Sequence, residues 1–219
     1  MSARPFRSPL FLARCVLPLA FGCAMAGTAA AQGCGSLVNG FGPYDYRTAS
    51  EGTRKQVELH HFNANVENLR TGQNGYLAGD IDYVLRAFPN HPRALWAMEK
   101  LARRDRTEKP LGANYTAGCY FERAVEFQPD DATVRLLFAL HLIERGRKPR
   151  AVDELQTARA LVEKDEYLKT DGNVAYNLGL GFYQVGRYDE ALEYAQRADA
   201  LGFPMTGLQN MLKRVGKWK

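Results

Sequence analysis

Beyond its first 31 residues this 219-residue chain has almost no serine. Only Ser36 and Ser50 occur there, and neither sits in a Gly-x-Ser-x-Gly setting, which excludes the nucleophile elbow of a serine hydrolase. No glycine-rich phosphate loop is present, so the chain lacks the usual means of holding a nucleotide. His-x-x-x-His and Cys-x-x-Cys spacings are missing too, and no cofactor is implied. Neither sign of charge predominates. Setting aside the three arginines of the leader leaves 26 Lys and Arg against 24 Asp and Glu, a near-neutral balance that argues against a nucleic-acid partner.

What is present begins with a leader. Arg4, Arg7 and Arg14 occur with no acidic residue among the first 31, an apolar run follows from Val16 to Met25, and Ala29-Ala30-Ala31 precede Gln32. This order predicts a secretory signal peptide over 1–31, cleaved after Ala31. Pro18 and Gly22 interrupt the run, which makes it a poor membrane anchor. No other stretch is apolar enough to span a bilayer, so no stable membrane span is expected after cleavage, and in a bacterium the mature chain belongs in the periplasm. Cleavage would reduce four cysteines to two, Cys34 and Cys119. In an oxidising compartment these form the candidate disulfide.

Residues 32–75 read as an irregular N-terminal segment with a short helix. Gly40, Gly42 and Pro43 break any period, and Thr53 to His61 fits either a short strand or an extended lead-in. Asn63 or Asn65 can cap the short helix. From residue 76 the helical period takes over. Leu77, Ile81, Val84, Leu85 and Phe88 form one stripe, and Pro89 stops it. Pro92 opens a second helix carrying Leu95, Trp96, Met98 and Leu101. Arg103 to Asn114 is polar and reads as a loop, and Glu163 to Thr170 is a second polar insertion. Between and after them come helices over Tyr115–Phe127, Val134–Glu144, the Val152–Leu161 stripe, and a hairpin over Asn173–Leu201. Residues 206–219, with Leu208, Met211, Leu212 and Val215 on one face, have the composition of a capping helix.

The helices repeat. Starts at Pro92, Ala132 and Gly172 are 40 residues apart, and Ala117, Ala151 and Ala191 are each followed seven residues later by Ala124, Ala158 and Ala198. Seven residues is two turns, so each alanine pair lies on one face where another helix must come close. The clearest unit is Leu178-Gly179-x-x-Phe182-x-x-x-Gly186-x-Tyr188-x-x-Ala191 through Ala198. These residues resemble the tetratricopeptide repeat, over roughly Pro92 to Pro204 with a half-unit at Tyr76 to Pro89. Glu99 departs from the pattern by taking a small-residue position. The resemblance implies an all-α right-handed solenoid of about three antiparallel helical hairpins over 76–205, a concave face that binds a protein or peptide, and no enzymatic activity. Gly42-Pro43-Tyr44-Asp45-Tyr46-Arg47 also resembles the opening of a group of small exported bacterial repeat proteins, a likeness that bears on fold and compartment alone.

On the inner helices Arg135, Asn173, Asn177 and Gln184 are the candidate concave-face binding residues, suited to hydrogen-bond an extended chain. Tyr44 to Arg47 is expected in or beside that groove. A competing reading makes the protein a metal-binding or enzymatic one that uses His60, His61 and nearby acids, and a third makes it an accessory subunit of a transport system. Adjacent His60 and His61 point apart on any regular backbone, and His141 sits in an apolar helix as a core residue. The acid pairs Asp80/Asp82 and Asp130/Asp131 are read as helix-end charges or solvated turns.

Overall fold

The structure is a computed structural model that describes Met1 and residues 33–218. The expected signal peptide therefore lies outside the described residues. Among those described there are eleven helices and no strand. In chain order they are α1 (Glu51–His61), α2 (Ala64–Glu67), α3 (Leu77–Ala87), α4 (Pro92–Asp105), α5 (Ala117–Phe127), α6 (Ala132–Glu144), α7 (Lys148–Val162), α8 (Glu166–Lys169), α9 (Gly172–Gln184), α10 (Tyr188–Ala200) and α11 (Gly207–Arg214).

Four hairpins follow one another: α1/α3, α4/α5, α6/α7 and α9/α10. The inner helices α4, α6 and α9 start on side-chain caps at His91, Asp131 and Asp171, each accepting an amide of the first turn. Ser50 caps α1 in the same way. Its place in the register, ahead of His91, makes α1/α3 a complete hairpin, where the sequence suggested only a half-unit. The stretch read as a strand or extended lead-in is thus helical. Its one buried residue is Val57, which gives too weak an apolar stripe to show a period. The α4 helix also runs to Asp105, into the stretch read as loop, and Arg106 ends it in the left-handed conformation.

The alanine pairs do what their spacing requires. Ala117, Ala124, Ala151, Ala158 and Ala191 are wholly buried, and Ala198 nearly so. Gly146 and Gly186 take positive φ in the three-residue turns of the last two hairpins, where a β-carbon would be strained. The central helix α6 is apolar on both sides. Val134, Phe138 and Leu142 pack toward the first hairpins, whereas Leu136, Ala139 and Leu140 pack toward the last. It joins two clusters into one continuous core. Leu208 and Leu212 bury the apolar face of α11 against the final hairpin.

Candidate binding cleft

The inner helices present the same register positions to open space. Counted from each cap, the second residue is Arg93, Thr133 or Asn173; one turn on, Leu137 and Asn177 stand six residues from their caps and Trp96 five from its own. Together with Leu136, Leu140 and Val174 these line a trough of about 350 Å³ between α4, α6 and α9. Its floor is aliphatic and aromatic. Its polar rim comes from Arg93, Thr133 and α9, where the Asn177 side-chain amide donates to the Asn173 carbonyl and side-chain oxygen at 2.9 and 2.8 Å. That arrangement fixes both side chains and leaves the Asn173 amide group and the Asn177 oxygen for a ligand backbone.

A second cleft of about 600 Å³ shares Pro92 and Thr133 with the trough. Two departures from a plain repeat build it. On one side stands the N-terminal segment. The Tyr46 ring lies 4.1 Å from that of His91, its hydroxyl donates to Glu58 at 2.7 Å, and its amide donates to Asn90 at 2.9 Å. Arg47 beside it binds Asp45 at 2.9 Å and Asp130 at 3.3 Å, with Asp131 at 3.5 Å. On the other side the insertion between α7 and α9 contributes Lys164, Asp165, Leu168 and the exposed Tyr167. Burial pushes the Asp45 carboxyl up, yet the bonds from Arg47 and Asn90 outweigh it and hold the group below its ordinary value. The Arg47 guanidinium, bonded to Asp45, is raised in turn.

The sequence-predicted residues divide. Asn173 and Asn177 line the trough, and Tyr46 and Arg47 line the adjoining cleft. Arg135 does not face it. Four residues after its cap it occupies the core-directed position held by Leu95 and Ala175 in the neighbouring hairpins, both buried. There it bonds Glu154 of α7 at 2.8 Å and the Pro129 carbonyl at 3.0 Å. Gln184 ends α9, beyond the trough lining. Trp96, Thr133, Leu137 and Tyr167 were not singled out in advance. The 40-residue register would have found Thr133 and Leu137, since they align with Asn173 and Asn177; Trp96 aligns with Leu136 instead.

The Cys34–Cys119 disulfide is present, with Cα atoms 5.3 Å apart. His60 is exposed, whereas His61 stacks on Tyr83 at 3.8 Å and reaches Asp80 at 3.1 Å. Glu58 and His61 stand in a Glu-x-x-His spacing on α1, but Glu58 turns to Tyr46 and His91. No group of three His, Cys, Asp or Glu side chains is placed to hold a metal among the described residues. The acids read as helix-end charges are mostly interior fasteners. Asp80 is buried and takes the Gln73 and Asn74 amides, and buried Asp82 takes the Tyr120 hydroxyl and the Asn114 side chain. Asp131 is buried at the α6 cap, and Asp130 alone is exposed.

No family model matches the chain, and no curated protein does. Among solved structures it is similar to MamA MSR-1 C2, with 18% identity over 73% of this chain and 80% of that one, at a TM-score of 0.41. The hairpin architecture rests on the helices and packing described above.

Proposed function

We propose that this protein is a non-catalytic scaffold that holds an apolar, extended segment of a partner protein in the trough, and that it works as an exported protein in the periplasm. The observation that carries the reading is the continuity of two cavities. An apolar floor on α4, α6 and α9 opens at Pro92 and Thr133 into a cleft walled by Tyr46–Arg47 and Tyr167. An extended peptide suits such a shape, because its apolar side chains can fill the floor while Asn173 and Asn177 meet its backbone. The leader over 1–31 supports export, and a disulfide is compatible with it.

Site-specific photo-crosslinking in the native cell tests the binding reading. A benzophenone residue at position 137 or 167 should yield a discrete partner adduct, and one at exposed Glu126 on the far side of α5 should not. Equal labelling from both faces, or none from the trough, defeats the proposal. Export is checked separately by the amino terminus of the mature protein, which should begin at Gln32.

A further inference from the structure

The segment from Cys34 to Ser36 lies over a charge that has no acid to neutralise it. Arg123 on α5 is 1% exposed. Its Nη1 donates to the carbonyl oxygens of Cys34, Gly35 and Ser36 at 2.9, 3.0 and 2.9 Å. The Tyr115 ring lies 4.4 Å from the guanidinium carbon, and Gly35 closes against that same ring. No carboxylate pairs with Arg123 among the described residues, and its Nε has no acceptor. An unpaired cation is strongly disfavoured away from water, so these three carbonyls are what allow it to stay buried. Cys119 stands four residues before Arg123 on the same helix, which puts disulfide and guanidinium on one face, gripping one short segment.

We infer that the Cys34–Cys119 bond and Arg123 form a single redox-sensitive lock. With the bond closed, residues 34–36 shield Arg123; with it open, they lift away and the guanidinium over Tyr115 becomes an exposed cationic patch on α5. Both cysteines are only half-buried, so a reductant can reach them. A dithiol supplies the two electrons and two protons. One of its thiolates attacks a protein sulfur, breaking the S–S bond, and its second thiol then resolves the mixed disulfide. Two protein thiols and the oxidised dithiol remain. Release stops short of the binding cleft, because the rest of the segment has its own fasteners. Arg86 donates to Asn39 at 2.9 Å, Tyr44 donates to the Ala87 carbonyl at 2.8 Å, and Tyr46 donates to Asn90.

The test treats folded protein with dithiothreitol and follows Arg123 with phenylglyoxal, locating adducts by peptide mass. Arg123 should react at least tenfold faster in the reduced chain, with thermolysin newly cutting at Leu37 and circular dichroism unchanged. A folded, reduced chain whose Arg123 stays protected overturns the lock. A second measurement does not depend on the reduced fold. In the oxidised variants Arg123→Met and Arg123→Lys, dithiothreitol should open the disulfide at least tenfold faster in the methionine form and less so in the lysine form. Opening rates equal to the parent's in both variants would also overturn it.

Discussion

The Glu99 carboxylate on α4 lies 2.7 Å from Nδ1 of His141 on α6, and both side chains are removed from water. Arg145 approaches the second carboxylate oxygen at 3.4 Å. Glu99 falls eight residues after its cap, the place held by Ala139 and Gly179 in the next two hairpins. A small residue is needed there when the hairpin closes through a three-residue turn. The α4/α5 hairpin closes through residues 106–116, which leaves room for a carboxylate. On its other side the His141 ring has Gly118, where a β-carbon would come within 3.2 Å of Nε2. Glu99→Ala should leave Nδ1 of His141 without its partner, while Arg145 keeps Glu108 at 2.8 Å, and should cost about 1–3 kcal/mol, read from urea unfolding. Pairing it with His141→Leu should recover a large part of that loss, and strictly additive losses would contradict the coupling.

Asp82 and Tyr120 fasten the same insertion from below. The Tyr120 hydroxyl donates to Asp82 at 2.5 Å and accepts from the Asn114 amide at 3.2 Å. Tyr120→Phe should lower stability by about 1–3 kcal/mol, since it leaves a buried carboxylate short of a donor. Burial, then the Asp82 charge, push this phenol well above its ordinary value. Absorbance at 295 nm should accordingly show one tyrosine fewer ionising after Tyr120→Phe only once the protein has unfolded in alkali.

Acid should weaken the fold in two stages, both set beside the cleft. The Ala94 amide donates to Nδ1 of His91, so Nε2 carries the proton and donates to Glu58 at 3.2 Å. Burial lowers His91 below 6.5 against the opposing pull of Glu58. A depressed histidine contributes stability above 6.5 that is lost as pH falls below it. Glu58 is held down to about 2 from 4.5, first by the His91 bond and then by the Tyr46 hydroxyl, against the cost of burial. Its contribution, at most about 3 kcal/mol, is complete above 4.5 and disappears toward 2. Chemical unfolding at pH 7.5, 5.5 and 3.5 should show declining midpoints. Glu58→Gln should flatten the lower stage and deepen the upper one, since the pull that opposes the lowering of His91 is gone, and a flat parental profile would refute both.

Gly179 sets how closely the last hairpin packs. A β-carbon there would lie 2.6 Å from Leu208 and 3.3 Å from the Ala191 carbonyl oxygen and the Ala195 nitrogen. Leu208 is a movable side chain, but the two backbone atoms of α10 are not. Gly179→Val should therefore cost about 2–3 kcal/mol and detach α11 first, visible as faster hydrogen exchange over 207–214 before any change in α6.

Periodicity alone disclosed much of this. Alanine pairs seven residues apart and caps 40 residues apart locate the inner and outer helices of three hairpins, and Asn173 and Asn177 line the trough. The first hairpin escaped because α1 buries only Val57, so its register shows in the Ser50 cap and in the tertiary bond from Glu58 to His91. Arg135 escaped for a different reason. In an inner helix polarity is a guide to the open face only when no ion partner waits inside, and Glu154 does.

Local pattern is written in consecutive residues, because a helix's period and the sizes of the side chains it stacks are properties of the segment itself. The all-helical repeat and the alanines that must touch were legible in the chain, and so was the pairing of Cys34 with Cys119. The cleft was decided by the tertiary structure. It needs Tyr46 and Tyr167, two residues outside the repeat and far apart along the chain, to stand on either side of Pro92 and Thr133, and no local period encodes where such departures from a repeat converge.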